Sequence, residues 1–123
     1  MLVVFDLDSQ HVTTAIPIGG GPDSIAFDAA LHRVYTAGKA GVMTVIQQSA
    51  PDTYKVLDSI DLHYGAHTLV VDPTTGNLYV GYASLLVRAR VAVFSPRPVN
   101  KPAASGPTAR RQMAAHVDHM NQD

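Results

Sequence analysis

The stretch GPDSIAFD at residues 21–28 recurs as GAHTLVVD at residues 65–72, and HRVYT at residues 32–36 recurs as GNLYV at residues 76–80. In each case the second copy lies 44 residues after the first, from 21 to 65 and from 32 to 76, and neither match needs a gap. An internal repeat is the first feature to seek in a sequence, because its period restricts the architecture more than any single segment does.

The repeat extends on both sides of this stretch. Ile16-Pro17-Ile18 matches Ile60-Asp61-Leu62 at the same distance of 44 residues. Val45-Ile46 matches Val93-Phe94 at 48 residues, because the second copy carries an insertion near residues 85–90.

Apolar runs rich in Val, Ile and Tyr alternate along the chain with clusters of Gly, Pro, Asp and Ser. This alternation predicts strands separated by turns. All ten acidic residues are Asp, and Asp favours turns while the absent Glu favours helix interiors. We expect strands at residues 2–6, 12–18, 23–28, 32–37, 42–47, 54–62, 66–72, 77–82 and 90–94.

A repeat of this length that holds four strands predicts the blade of a β-propeller. With the strands of a blade lettered a to d from the inside outward, the chain has strands c and d, then a full blade, then strands a, b and c. We therefore expect an all-β fold, an incomplete β-propeller over residues 1–95 made of four-stranded antiparallel blades. About two blades are too few for a ring, which predicts a fragment of a longer propeller.

The C-terminal segment has a different composition. Residues 96–107 are dense in Pro and small residues and predict a Pro-rich linker. Residues 108–123 predict a flexible tail, in which Thr108 to Met120 has the length for a short helix with Thr108 as its N-cap.

The second strand of each repeat, Val34-Tyr35-Thr36-Ala37 and Leu78-Tyr79-Val80-Gly81, resembles the signature of the YVTN-type β-propeller repeat family (YncE-like). The Gly-Gly-Pro-Asp run ending at Asp23 and the turn from Asp72 to Asn77 are similar to the frame of that family. The resemblance covers about residues 2–95, although both copies lack the terminal Asn of the signature. It implies a WD40/YVTN repeat-like binding scaffold whose full-length relatives are periplasmic or secreted.

We expect a non-catalytic propeller that binds a ligand or a partner, either a small molecule or a protein. The alternative is an enzyme, as part of a lactonase (6-phosphogluconolactonase-like) or of a quinoprotein-type dehydrogenase subunit. Because incomplete blades expose strand edges and apolar faces, we also expect self-association of copies to complete a ring.

Composition restricts partners and location. A net charge of -1 provides no basic field, which makes nucleic acid an unlikely partner. Cys is absent, so disulfides and Cys-based metal sites are excluded. The N-terminal apolar run ends at Asp6, too early for a signal peptide or a membrane span, which predicts a cytoplasmic chain as written.

Asp23 and His67 hold the same position of the repeat, at the start of an inner strand, where successive blades surround the channel mouth. Because His titrates near neutrality and both residue types bind ligands, we consider them candidate ligand-binding residues. The structural alternative is that Asp23 bonds to the backbone of its own turn, while His67 bonds across to the next blade.

Other polar groupings carry weaker signals, and we expect no catalytic residue, metal or cofactor. The glycines at 19–21 precede a strand, whereas a phosphate-binding loop leads into a helix. His63 and His67 have helical ligand spacing but lie on either side of a predicted junction between a loop and a strand. His116 and His119 fall in the predicted tail, where solvated sequence is the simpler interpretation.

Overall fold

The computed structural model describes residues 1–85, 87–97 and 114–116. These residues form only strands and turns, which confirms the all-β prediction. The strands are β1 (Leu2–Asp6), β2 (His11–Ile16), β3 (Pro22–Asp28), β4 (Arg33–Gly38), β5 (Val42–Ala50), β6 (Thr53–Asp61), β7 (Ala66–Val71), β8 (Leu78–Ser84), β9 (Val87–Ser95) and β10 (Ala114–His116).

The ten strands form three antiparallel sheets. The front sheet has only two strands, β1 and β2. The middle sheet has the order β3-β4-β5-β6, and the back sheet has the order β7-β8-β9-β10. Neighbouring strands within each sheet follow one another in the sequence, and among the strands from β1 to β9 antiparallel neighbours are joined directly, without a crossover.

Each of the nine predicted strands is present, with ends that differ from the prediction by three residues at most. The largest differences concern β5, which continues to Ala50, and β9, which begins at Val87. Because β8 and β9 pair as far as Ser84 and Val87, the insertion near residue 85 lengthens this hairpin.

The tail was expected to be flexible or helical, but Ala114–His116 pairs with Ser95, Phe94 and Val93 and forms the outer strand of the back sheet. The prediction of three strands for this sheet was therefore incomplete. A helix of about 12 residues gains little stability by itself, while the free edge of β9 provides backbone partners. The rest of residues 98–123, which includes the predicted linker from residue 98 onward, lies outside the described residues.

The middle and back sheets pack face to face, and β3 and β4 both contact β7. The buried apolar residues of the two facing surfaces form one core, in which β4 and β8 run through the centre of their sheets. The core consists of Tyr35, Ala37, Met43, Val45, Ala66, Leu69, Leu78, Val80, Tyr82, Ala92 and Phe94.

Three of the aspartates lie where a strand gives way to a turn. Asp6 and Asp28 accept backbone hydrogen bonds from residues two and three positions ahead. Asp72 accepts from the amide of Thr74 at 2.9 Å and from the hydroxyl of Thr75 at 2.6 Å. The Thr75 hydrogen bond is the main cause that lowers the pKa of Asp72. This use of Asp in turns accounts for part of its high content.

The repeat is visible in the irregularities of the sheets as well as in the sequence. β3 has a bulge between Pro22 and Ser24, and β7 has one between Ala66 and Thr68, 44 residues later. Since equivalent irregularities recur at equivalent positions, the middle and back sheets are copies in their local geometry.

Candidate functional site

Asp23 and His67 are the extra residues of these two bulges. In β3, Pro22 pairs with Gly38 and Ser24 with Ala37, which leaves Asp23 without a partner in the ladder. His67 is left out in the same way between Ala66 and Thr68. A bulge changes the direction of the side chain it contains, and bulges are common beside binding sites.

The structure brings the two predicted residues together. Nδ1 of His67 lies 2.6 Å from Oδ2 of Asp23, so the pair connects the starts of the inner strands of two sheets. The side chains are 45% and 46% exposed. Since solvent screens a pair exposed to this degree, we expect its net contribution to stability to be at most about 1 kcal/mol.

Backbone hydrogen bonds fix the position of the pair. The amide of Lys39 donates to the carbonyl of Gly21 at 3.1 Å, and the amide of Gly65 donates to the carbonyl of Lys39 at 3.1 Å. The amide of Ala83 then donates to the carbonyl of Gly65 at 3.0 Å. This series crosses from the middle sheet to the back sheet through Gly21 and Gly65, which lie two residues before Asp23 and His67.

A side chain also connects the sheets beside the pair. The hydroxyl of Ser24 accepts a hydrogen bond from the amide of Leu69 at 3.0 Å. Ser24 and Leu69 follow the bulges of β3 and β7, so the relative position of Asp23 and His67 is constrained on both sides.

Small residues permit the close approach of the chain below the site. A Cβ atom on Gly38 would overlap the carbonyl of Gly21. Gly21 itself has a φ of 62°, a conformation that costs other residues free energy. The glycines at 19–21 therefore shape the connection into β3, as the sequence predicted, and a strand follows them.

Of the structural alternative, the part that concerns His67 is present, because His67 bonds across to the neighbouring sheet. Its partner there is Asp23 itself, so the Asp23 carboxylate faces the adjacent sheet. His63, in contrast, packs the edge of its ring against Tyr82, with ring centroids 5.9 Å apart.

The other candidate ligands do not gather around the pair. Within the part of the chain that the structure describes, no three His, Cys, Asp or Glu side chains lie close enough together to hold a metal ion. The side chain of His116 and the whole of His119 lie outside the described residues.

The opposite end of the middle sheet holds a buried polar cluster that the sequence pattern did not predict. Asp28 and Arg33 pair in register and are buried, and Arg33 donates to Oε1 of Gln47 at 3.1 Å. Burial raises the pKa of the nearby Tyr35, whose hydroxyl is buried without a hydrogen bond. The available signal was a charged residue, Arg33, within an apolar strand of the repeat.

A groove at the outer end of the β4–β5 hairpin lies away from the site. It is an open groove of about 420 Å³ lined by His32, Gln47, Gln48, Ser49, Ala50 and Pro51. The amide of Gln47 already donates to the carbonyls of Leu31, His32 and Gln48 at 2.9 to 3.0 Å. The polar groups of the groove thus stabilise the turn at its base.

The Asp23–His67 pair combines an acceptor with a group that donates or accepts according to its protonation. The pair uses one carboxylate oxygen and Nδ1, and no described residue bonds to Nε2 of His67 or to the second oxygen of Asp23, while both side chains are half exposed. Such a pair suits the recognition of a polar molecule that offers both a donor and an acceptor.

Comparisons with family models, with curated proteins and with solved structures give no match for this chain. In the residues that the structure describes, no helix has the length and apolar character needed to span a membrane.

Proposed function

We propose that this chain is part of a YVTN-type β-propeller and acts as a non-catalytic binding module. The observation that carries the proposal is the contact between Asp23 and His67, two repeat-equivalent residues in equivalent bulges of neighbouring sheets. In a propeller the inner strands surround a channel, so polar residues at their starts face one shared mouth.

The proposed ligand is a small polar molecule, or an exposed polar group of a protein, that contacts Nε2 of His67 and the outer oxygen of Asp23. The pair is open to solvent, so binding needs no rearrangement of the sheets. The remaining contacts would come from equivalent positions of other repeats.

The test is a ligand screen read by thermal unfolding, with sugars, carboxylic acids, amines and short peptides as probes. A probe at 100 times its Kd raises the free energy of unfolding by about 2.7 kcal/mol. Asp23→Ala and His67→Ala should each abolish the shift, while Asp52→Ala, in the exposed β5–β6 turn, should preserve it. A probe that shifts the wild type and both site variants equally would place the ligand elsewhere.

We also propose self-association as part of this function. Both outer faces of the packed sheets expose apolar side chains, Ile25 and Phe27 in front and Val70 and Val91 behind. Three copies would provide about six blades, within the usual range of about four to eight. Light scattering should then give a defined oligomer; a well-folded monomer at all concentrations would contradict this part of the proposal.

A further inference from the structure

Repeat-equivalent positions differ sharply in burial, depending on whether a sheet lies in front of them. Leu69 of the back sheet faces the middle sheet and is 4% exposed, whereas its equivalent Ile25 of the middle sheet is 58% exposed. Phe27 on the same strand face is 52% exposed. The front of β3 is therefore a surface that the repeat normally covers.

The uncovered part is limited to the inner end of this face. Thr36 and Thr44 lie in the same row as Ile25 across β3, β4 and β5, yet both are buried. The amide of Gly19 donates to Oγ1 of Thr44 at 3.0 Å, and β2 contacts β6. The outer half of the face thus has the front sheet and its connection beside it. Among the described residues, no element covers the inner strand β3 on this side.

The front sheet corresponds to the outer half of a four-stranded sheet. The Leu2–Ile16 pair matches the Met43–Ile60 pair of β5 and β6. In both hairpins the register shifts after two more paired residues, between Val4 and Phe5 in β1 and between Val45 and Ile46 in β5.

This correspondence identifies what is missing from the front sheet. In the middle sheet, β5 pairs on its inner side with β4. β1 pairs only with β2 among the described residues, so its inner edge is open. An open edge beside an exposed apolar strand face is a typical docking place for an added β-strand.

We propose that the inner edge of β1 and the front of β3 together form a docking site for an inner β-hairpin of this same repeat. One strand of that hairpin pairs with β1, and the other packs on Ile25 and Phe27. The β3–β4 hairpin shows which side chains such a hairpin would bring to the interface, because its rear face presents Ala26, Tyr35 and Ala37 to the back sheet. This inference rests on the proposed propeller architecture.

The repeat register defines a direct test. A second copy of residues 19–41 is fused immediately before Met1, which places Met1 where Val42 follows β4 in the middle sheet. We expect the thermal midpoint to rise by about 5 °C or more. We also expect slower amide exchange along β1 and weaker hydroxyl-radical labelling of Phe27 than in the unfused chain.

The matched control is the same fusion with Tyr35→Asp in the added copy alone, which should lose most of these gains because a carboxylate then faces the apolar surface. The proposal is wrong if the added residues exchange as an unfolded chain does and Phe27 labelling is unchanged. Ligand binding does not enter these readouts, so failure here is distinguishable from failure of the proposed Asp23–His67 ligand site.

Discussion

Asp28 and Arg33 lie opposite each other at the end of the β3–β4 hairpin, and both side chains are buried. Oδ1 of Asp28 accepts from the amides of Ala30 and Leu31 at 2.9 and 3.1 Å, whereas Oδ2 is buried without a partner. Only one of the two carboxylate oxygens therefore holds the turn.

From this we predict that Asp28→Ala lowers the free energy of unfolding by about 2 kcal/mol, because two partly buried amides lose their acceptor. Asp28→Asn keeps an oxygen for those amides and should cost less than about 1 kcal/mol. Urea unfolding followed by circular dichroism measures both values. Equal losses in the two variants would show that the charge matters more than the turn.

The second prediction concerns the close approach of the chain below the candidate site. Gly38→Ala places a Cβ against the carbonyl of Gly21, and we expect a loss of about 3 kcal/mol. Gly20→Ala is the matched control, since its Cβ would meet only the Cβ of Ala40 at 3.8 Å. We expect that variant to stay within about 0.5 kcal/mol of the wild type in the same urea experiment. A neutral Gly38→Ala would contradict the packing described here.

The third prediction separates the stability of the Asp23–His67 pair from its proposed role in binding. A double-mutant cycle with Asp23→Ala and His67→Ala should give a coupling energy of about 0.2 to 1 kcal/mol, because both side chains are half exposed. Thermal or urea unfolding of the four proteins measures this value, and a coupling energy of zero would contradict the contact between the two side chains.

Alkaline unfolding provides the fourth prediction. Burial raises the pKa of Tyr82 to about 12 from 10.0, so the folded protein holds this proton more tightly than the unfolded chain. The resulting stability is complete below pH 10 and is lost as the pH rises toward about 12. The loss should be on the order of 2 kcal/mol.

Tyr82→Phe should remove this part of the alkaline dependence, as measured by thermal unfolding at increasing pH. Tyr64→Phe is the control, because Tyr64 is exposed and its removal should leave the dependence as in the wild type. If Tyr82→Phe unfolds with alkali like the wild type, another group is responsible.

The strands and their order could be predicted because a period-two pattern and a repeat are local properties of the sequence. The same repeat predicted that Asp23 and His67 hold equivalent positions, although their distance needed the packing of two sheets. The strand Ala114–His116 could not be predicted, because its short sequence has no strand pattern and its pairing depends on the distant edge of β9. The burial of Arg33 likewise depends on Gln47 and on residues far along the chain, such as Arg97.

Because one bulge recurs in two sheets, its backbone geometry does not depend on the side chain that it presents. The backbone around positions 23 and 67 is the same, while the side chains are as different as a carboxylate and an imidazole. Each repeat thus offers one position that can be exchanged without altering the fold that carries it. In such an array each repeat would contribute one side chain to ligand recognition. A change of ligand would then require substitutions at these bulge positions and no change of the backbone.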